Sequence, residues 1–261
     1  MSNASFDLSG KVALITGGNG GIGLGMAEAI ANAGGQLAIW GTNADKNAAA
    51  VETLRAAGAE AESWQCDVSD RAQVDAAMAA TLTRFGRVDG CFANAGVSGR
   101  GARSFLDIDP EEWRRVLSVN LDGVYHTYQA ALRHMVERAD AGDPGGRLVA
   151  ISSLASVSGA AMNQHYAASK GALNAMTFAL AVEYARHKIT ANAILPGWIA
   201  TDMTQDAMAN ERFATAAGKR IPARRWGEPA DFGGIATYLM SDASAYHTGQ
   251  LLQIDGGYWR F

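Results

Sequence analysis

Tyr166 and Lys170 lie four residues apart in a stretch that reads as a helix from about His165 to His187, so their side chains share one helical face, about one turn apart. A phenol titrates at about pH 10, and a neighbouring ammonium favours the phenolate, which brings a proton-transfer group towards physiological pH. On spacing alone, a packed tyrosine with a lysine stem laid along it is the better reading. A second chemical signal stands near the N-terminus, where Thr16-Gly17-Gly18-Asn19-Gly20-Gly21-Ile22-Gly23 separates an apolar run from a run of helix formers. Glycines in that place let the backbone turn tightly and approach a pyrophosphate that meets the helix N-terminus, which is dinucleotide-binding chemistry.

The elements that must position these residues follow from apolar runs and breakers. Lys11 to Thr16 reads as a strand buried on both faces, Leu24 to Ala33 as a helix stopped by Gly34-Gly35, and Gln36 to Trp40 as a second strand. The alternation continues with helices near 45–57 and 70–85 and strands near 61–66 and 88–93. Asp109-Pro110-Glu111-Glu112 supplies a cap, a first-turn proline and first-turn acids for a long helix to about Arg138. After the loop Asp140 to Gly146 come a strand to Ser152, the Tyr166 helix, a strand at Ile189 to Leu195, a helix near 229–240 and a last strand at Gln250 to Ile254. About seven such strands predict an α/β fold, a parallel sheet with right-handed crossovers and helices on both faces. No polar linker divides residues 1–261, so a single domain is expected. Residues 197–222 form an insertion of weak periodicity after a strand, the place where open α/β sheets bind ligands.

Composition removes other classes. Twenty-two Lys and Arg against 26 Asp and Glu give a formal charge of −4, too little cation for a nucleic-acid partner. No apolar run is long enough for a bilayer, and the N-terminus lacks the basic and apolar regions of a secretion signal, so a cytoplasmic protein without membrane association is expected. The Asn3-Ala4-Ser5 sequon reads as chance. Cys66 and Cys91 read as buried small hydrophobes in a reducing compartment, not as a disulfide. The five histidines show no ligand spacing, so no metal is expected and they read as ordinary surface or helix residues.

At the end of the second strand an acid would bond the adenosine ribose of NAD and a cation would hold the 2′-phosphate of NADP. Trp40-Gly41-Thr42-Asn43 offers neither, so Thr42 and Asn43 can serve both ribose forms, and the missing acid tips the choice slightly to NADP.

Several further motifs occur in order: Asp67-Val68, Asn94-Ala95-Gly96, Asn120, Ser153, Pro196-Gly197, Thr248-Gly249-Gln250 and Asp255-Gly256-Gly257. With the glycine loop and Tyr166-x-x-x-Lys170 they make the chain resemble the short-chain dehydrogenases/reductases over nearly its whole length, Lys11 to Gly257. Ala93, where many relatives carry a further Asn, is a mild departure. The resemblance implies a Rossmann-like doubly wound parallel sheet of strand order 3-2-1-4-5-6-7 and an NAD(P) cofactor. It makes Tyr166 the general acid/base on the reacting oxygen, with Ser153 hydrogen-bonded to that oxygen; Ser152 is the rival, but only Ser153 has the usual separation from Tyr166. Lys170 would lower the tyrosine pKa and bond the nicotinamide ribose, and Asn120, a poor helix former inside a predicted helix, would hold a water on the proton path. Gly17, Asn19, Gly21, Ile22, Gly23, Asn94, Gly96, Pro196 and Gly197 would border the cofactor, with Ile199 and Thr201 at the carboxamide. Thr201 could equally cap a helix, Asp67 could touch adenine or cap one, Val68 would accompany it, and Asn94 could order the strand end instead.

Leu154, Met162, Asn163 and His165, with Trp198, Met203 and Met208, are expected to line a mixed apolar and polar substrate pocket that also meets Ser153 and Tyr166. The leading reading is reversible oxidation of a secondary alcohol, polyol, sugar-like or alicyclic, to its ketone. A 3-oxoacyl-(acyl-carrier-protein) reductase is the alternative, needing a basic patch for which Arg100, Arg103, Arg186 and Lys188 are candidates. An epimerase or dehydratase using the same tyrosine, and a non-catalytic dinucleotide-binding regulator, are the remaining readings. By resemblance the molecule is a homotetramer joined through the helices near 110–138 and 165–187. Tyr258 to Phe261 would reach an interface or cover the protein's own core.

Overall fold

The computed structural model describes residues 6–260. In chain order it contains β1 (Val12–Thr16), α1 (Gly21–Asn32), β2 (Gln36–Gly41), α2 (Ala44–Ala56), β3 (Ala61–Gln65), α3 (Arg71–Phe85), β4 (Gly90–Ala93) and α4 (Pro110–Leu117). There follow α5 (Gly123–Asp140), β5 (Gly146–Ile151), α6 (Ala155–Ser158), α7 (Gln164–Tyr184) and β6 (Ile189–Pro196), then α8 (Gln205–Ala209), α9 (Glu211–Arg220), α10 (Gly233–Met240) and β7 (Leu251–Ile254). The seven strands form one sheet of order β3-β2-β1-β4-β5-β6-β7, and every paired neighbour is parallel, as expected for a doubly wound sheet.

Side chains alternate across the strands, and the alternation divides the core into two layers. Leu14, Ala38, Trp40, Cys91 and Leu148 face one way and pack with residues of α3, α5 and α7, whereas Ala13, Ile15, Leu37, Ile39 and Phe92 face the other and pack with α1 and α10. Both cysteines are buried and unpaired, and desolvation pushes the Cys66 thiol up to about 12. Tyr258 and Trp259 pack against the α5/α7 layer, so this much of the C-terminal tail covers its own core; Phe261 and the Asn3-Ala4-Ser5 sequon lie outside the described residues.

Differences from the sequence expectation are local. The helix near 110–138 opens as predicted, with Asp109 accepting the Glu112 amide at 2.7 Å, but it is interrupted at Ser118–Asp122 by a π turn that carries Asn120. Residues 197–222 hold two short helices, α8 and α9, whose few turns give too little periodicity to read. Asp70, not Asp67, caps α3, accepting the Ala72 amide at 2.9 Å.

At the N-terminal edge of the sheet Asp89 is buried and accepts hydrogen bonds from the Val12 amide at 2.9 Å, from Arg87 Nε at 2.8 Å and from Arg138 Nη1 at 2.8 Å, tying β1, β4 and α5 together. Burial is the largest effect on its carboxyl and acts upwards, but these donors together outweigh it and hold the pKa below the ordinary value. Such a depressed carboxylate contributes stability above its unfolded pKa that is lost as pH falls through the folded one. Asp89→Asn should therefore lower unfolding stability by about 3 kcal/mol and flatten its acid dependence, because two guanidiniums lose their counter-charge. Urea titrations of both proteins between neutral and acid pH measure this; equal midpoints would contradict it.

Candidate active site

The chain runs outward from β1 through β2 to β3 and then returns to β4 on the other side of β1, which opens a crevice at the carboxyl ends of β1 and β4. The glycine loop forms its floor. Gly17 and Gly21 take left-handed backbone, with φ of 62° and 50°, and a methyl on Gly23 would overlap the Gly17 carbonyl and the Asn94 amide. No side chain caps the N-terminus of α1 and no acid sits in its first turn, while Gly20 borders open space, so the first amides of α1 are left for an anion. Asn94 donates to the Thr16 and Gly17 carbonyls, both at 3.0 Å, and so orders the strand ends with its side chain. Asn19 donates to Asn47 at 2.6 Å, and Asn47 in turn donates to the Gly41 carbonyl at 2.9 Å, which ties the loop to α2. Ile22 packs against the α1/α10 layer.

Towards the adenosine side, Thr42 and Asn43 are exposed, but the Asn43 side chain accepts the Lys46 amide at 2.9 Å as the cap of α2. Lys46 reaches across to Asp202 at 2.7 Å. Asp67 accepts the Ser69 amide and hydroxyl, organising the turn before α3. The side chain of Val68 is buried against Gly123 and its carbonyl is 3.1 Å from His126 Nδ1.

The catalytic candidates converge at the inner end of the crevice. Asn120 is 0% exposed; its Oδ1 accepts the Val97 amide at 2.8 Å and its Nδ2 donates to the Val97 carbonyl at 2.9 Å and to Ser169 Oγ at 3.2 Å. The π turn at Ser118–Asp122 carries this buried side chain, as π turns at functional sites commonly do. Lys170 is 3% exposed, with Nζ donating to the Ile151 carbonyl at 2.7 Å and lying 5.7 Å from the centroid of the Tyr166 ring. Burial pulls this ammonium down to about 8. The Ser153 hydroxyl lies beside the Tyr166 phenol, close enough to draw its pKa down, whereas Ser152 turns away and donates to the Lys170 carbonyl at 2.9 Å. The sequence reading expects Lys170 to draw the phenol down. In this environment desolvation is the larger influence and raises it, with the Ser153 contact acting downwards. Gly96 faces the same cluster, and a methyl there would lie 3.3 Å from Asn120 Oδ1 and 3.4 Å from Lys170 Nζ.

Opposite the glycine loop, β6 ends at Pro196, and the Gly197 amide donates to Ile254. Ile199 is buried and its carbonyl accepts from Thr204. Thr201 caps the turn at 202–204, as one of its two sequence readings expects, and its side chain also lies against Gly21 of the glycine loop. Trp198 packs edge-on to Phe213 at 4.9 Å and against Trp226 at 5.5 Å, docking α9 beside the crevice, and Met203 and Met208 are exposed on the same segment. Met162 is exposed, with left-handed backbone at φ 63°. Leu154 does not join this rim: it is buried in the α5/α7 layer. His165 is likewise buried, at 1% exposure, and is no surface residue.

Residues 17–259 match the family described as Enoyl-(Acyl carrier protein) reductase. The chain is 38% identical to the 5-keto-D-gluconate 5-reductase of Escherichia coli K12 over 98% of each protein, and 34% identical to the gluconate 5-dehydrogenase of Gluconobacter oxydans over 97% of this chain and 96% of that one. Among solved structures, a gluconate 5-dehydrogenase from Burkholderia cenocepacia in complex with NADP and tartrate superposes with a TM-score of 0.92 at 34% identity, covering 99% of this chain and 98% of that one. The chain belongs to the short-chain dehydrogenase/reductase family.

For a short-chain dehydrogenase/reductase the crevice fits its nicotinamide dinucleotide: uncapped α1 amides for the pyrophosphate, and a buried lysine and a partly buried tyrosine at the far end. Sequence reasoning missed Lys46, Asn47 and Ser169. The first was readable as a cation three residues after the Asn43 cap, whereas the bonds of Asn47 to Asn19 and of Ser169 to Asn120 join residues remote in sequence. The candidates for a carrier-protein patch are divided: Lys188 directly precedes β6 and so lies at the opposite end of the parallel strands from Arg100 and Arg103, which follow β4.

Proposed function

We propose that the protein interconverts a secondary hydroxyl of a polyhydroxy acid and the corresponding ketone, using NAD(P). It is an oxidoreductase acting on a hydroxyl and keto pair. The observation that carries the reading is the meeting of Tyr166, Ser153, Lys170 and Asn120 at the end of the dinucleotide crevice. The sugar-acid class is supported by relatives named for 5-keto-D-gluconate and gluconate. The nicotinamide, when bound, donates or accepts the hydride. Tyr166 gives its phenolic proton to the nascent alkoxide in reduction and takes it back in oxidation. Ser153 donates to the same oxygen as charge develops there, and its placement before the reaction limits reorganisation. Lys170 supplies positive charge behind the phenol and a donor for the nicotinamide ribose. The side chain of Asn120 is already engaged, so its part on the proton path falls to its main-chain carbonyl. Mere dinucleotide binding would not require this arrangement. Initial rates with gluconate, 5-ketogluconate and a panel of polyols, following nicotinamide absorbance with NAD and NADP side by side, test the reading. Net redox turnover with a polyhydroxy acid supports it, and its absence across the panel would overturn it.

NADP is the preferred form. No carboxylate stands at 42–43 to repel a 2′-phosphate, and Lys46 is held only by an exposed ion pair that a phosphate can displace. Lys46→Met should weaken NADP binding about tenfold while changing NAD affinity less than about twofold, as loss of one charge-assisted contact predicts. Calorimetric titration with each nucleotide measures the ratio; equal losses would contradict it.

A homotetramer is the proposed assembly. Tyr125, Phe178 and Val182 leave apolar surface exposed on α5 and α7, Val182 at 82%, as helices that pair between subunits would. Among the described residues no helix is long and apolar enough to cross a membrane. Two free buried thiols fit the reducing cytoplasm.

A further inference from the structure

Residues 97–100, in the segment after β4, are each held by a side chain. Both backbone polar groups of Val97 bond Asn120, the Ser98 carbonyl accepts from Arg115 at 2.8 Å, the Gly99 amide donates to Asn163 at 3.2 Å, and the Arg100 amide donates to Glu112 at 2.9 Å. Ser98 Oγ accepts from Asn163 Nδ2 at 3.0 Å. Because Gly96, directly before it, lies against Lys170 and Asn120, this loop walls the reacting end of the crevice.

Behind the loop sits the imidazole of His165, the neighbour of Tyr166 on α7. A methyl on Gly99 would come within 2.5 Å of its Cε1 and 2.6 Å of its Nε2. The ring stacks on Trp113, with centroids 6.5 Å apart and planes 21° apart, and Nε2 is 3.5 Å from Glu112 Oε1. Among the described residues neither ring nitrogen has a hydrogen-bond partner. A buried polar ring left unsatisfied weakens the fold and calls for a compensating role.

We propose that Gly99 and His165 are a size-matched pair, and that His165 is a positioning residue that sets the substrate-side wall of the site through the 97–100 loop. This rests on the oxidoreductase reading above. The imidazole occupies the space that any other residue at 99 would need, and Trp113 and Glu112 hold it from the far side. The loop is thereby registered to the helix that carries Tyr166, so the wall and the acid/base group move as one body. The role concerns substrate fit; the nucleotide lies along other elements.

The test is a cycle of Gly99→Ala, His165→Ala and the double variant, read by KM and kcat for the best substrate, by nucleotide binding and by thermal midpoint. Gly99→Ala should raise KM about tenfold with kcat within about threefold and nucleotide affinity unchanged, the signature of a displaced wall. The double variant, with room for the new methyl, should recover KM to within about threefold of the wild type, and its midpoint should exceed the additive sum of the two singles. Should Gly99→Ala alone not fold, folding of the double variant is the rescue expected. An unchanged KM in Gly99→Ala, or additive effects in both readouts, would overturn the proposal. Absence of turnover in the wild type would instead refute the oxidoreductase reading, and the midpoint cycle would still decide whether the pair is coupled.

Discussion

Tyr166→Phe should lose about a thousandfold in turnover while binding NADP as the wild type does. The substitution removes one hydroxyl from a partly buried ring and leaves the ring itself in place. What disappears is the phenolic proton donor beside Ser153 at the inner end of the crevice, and general acid or base groups contribute about a hundred- to ten-thousandfold. Because burial raises the Tyr166 pKa, the reductive direction should be served by a protonated phenol throughout the neutral range and should fall only in alkali. Stopped-flow kinetics together with a nucleotide titration separate these effects. Retained turnover would remove Tyr166 from the chemistry, and lost nucleotide binding would make its role structural.

Lys170→Met should do two opposite things, lowering turnover by at least about a hundredfold and making the nucleotide-free protein more stable. Lys170 is fully buried, and its ammonium titrates at about 8 in the folded protein against an ordinary 10.5. Keeping it charged at neutral pH opposes folding by about 2–4 kcal/mol. Loss of its bond to the Ile151 carbonyl offsets part of this, leaving a net gain of about 1–2 kcal/mol. Its pH dependence carries a definite sign. Between about 8 and 10.5 the unfolded chain holds a proton on this lysine that the folded protein has released, so wild-type stability rises with pH across that window. The variant should lack the rise. Urea midpoints at pH values spanning the window measure it, and a destabilised variant with an unchanged slope would show that the ammonium is not held at a cost.

Much of the scaffold is legible in the chain because parallel strands buried on both faces must be short apolar runs, and Lys11 to Thr16 or Ile189 to Leu195 leave little else to read. The glycine loop is legible for the same kind of reason, since Gly17, Gly21 and Gly23 stand where backbone geometry or crowding admits no side chain. Asn120 announces itself as a poor helix former, but the π turn that turns its amide onto Val97 does not, because a one-residue change in helical pitch leaves no mark in apolar spacing. Leu154 looks like a pocket residue from its neighbours in sequence. Its side chain belongs to the core because Ser153 and Leu154 leave the end of β5 in different directions. Asp67 reads as a cap from its place before a helix, but α3 begins later and is capped by Asp70. The contacts of His165 with Glu112, of Asn47 with Asn19 and of Lys46 with Asp202 join residues tens of positions apart, or more, and no local pattern encodes them.

Transfer of label from nicotinamide to substrate bears most directly on the central claim, that Tyr166 exchanges a proton with an oxygen whose carbon trades a hydride with the nucleotide. Reduction of a keto acid such as 5-ketogluconate with NADPH deuterated at the transferring carbon should place deuterium on the new carbinol carbon, at a rate that collapses in Tyr166→Phe. Product formed without deuterium, or labelled product formed equally fast by the variant, would contradict it.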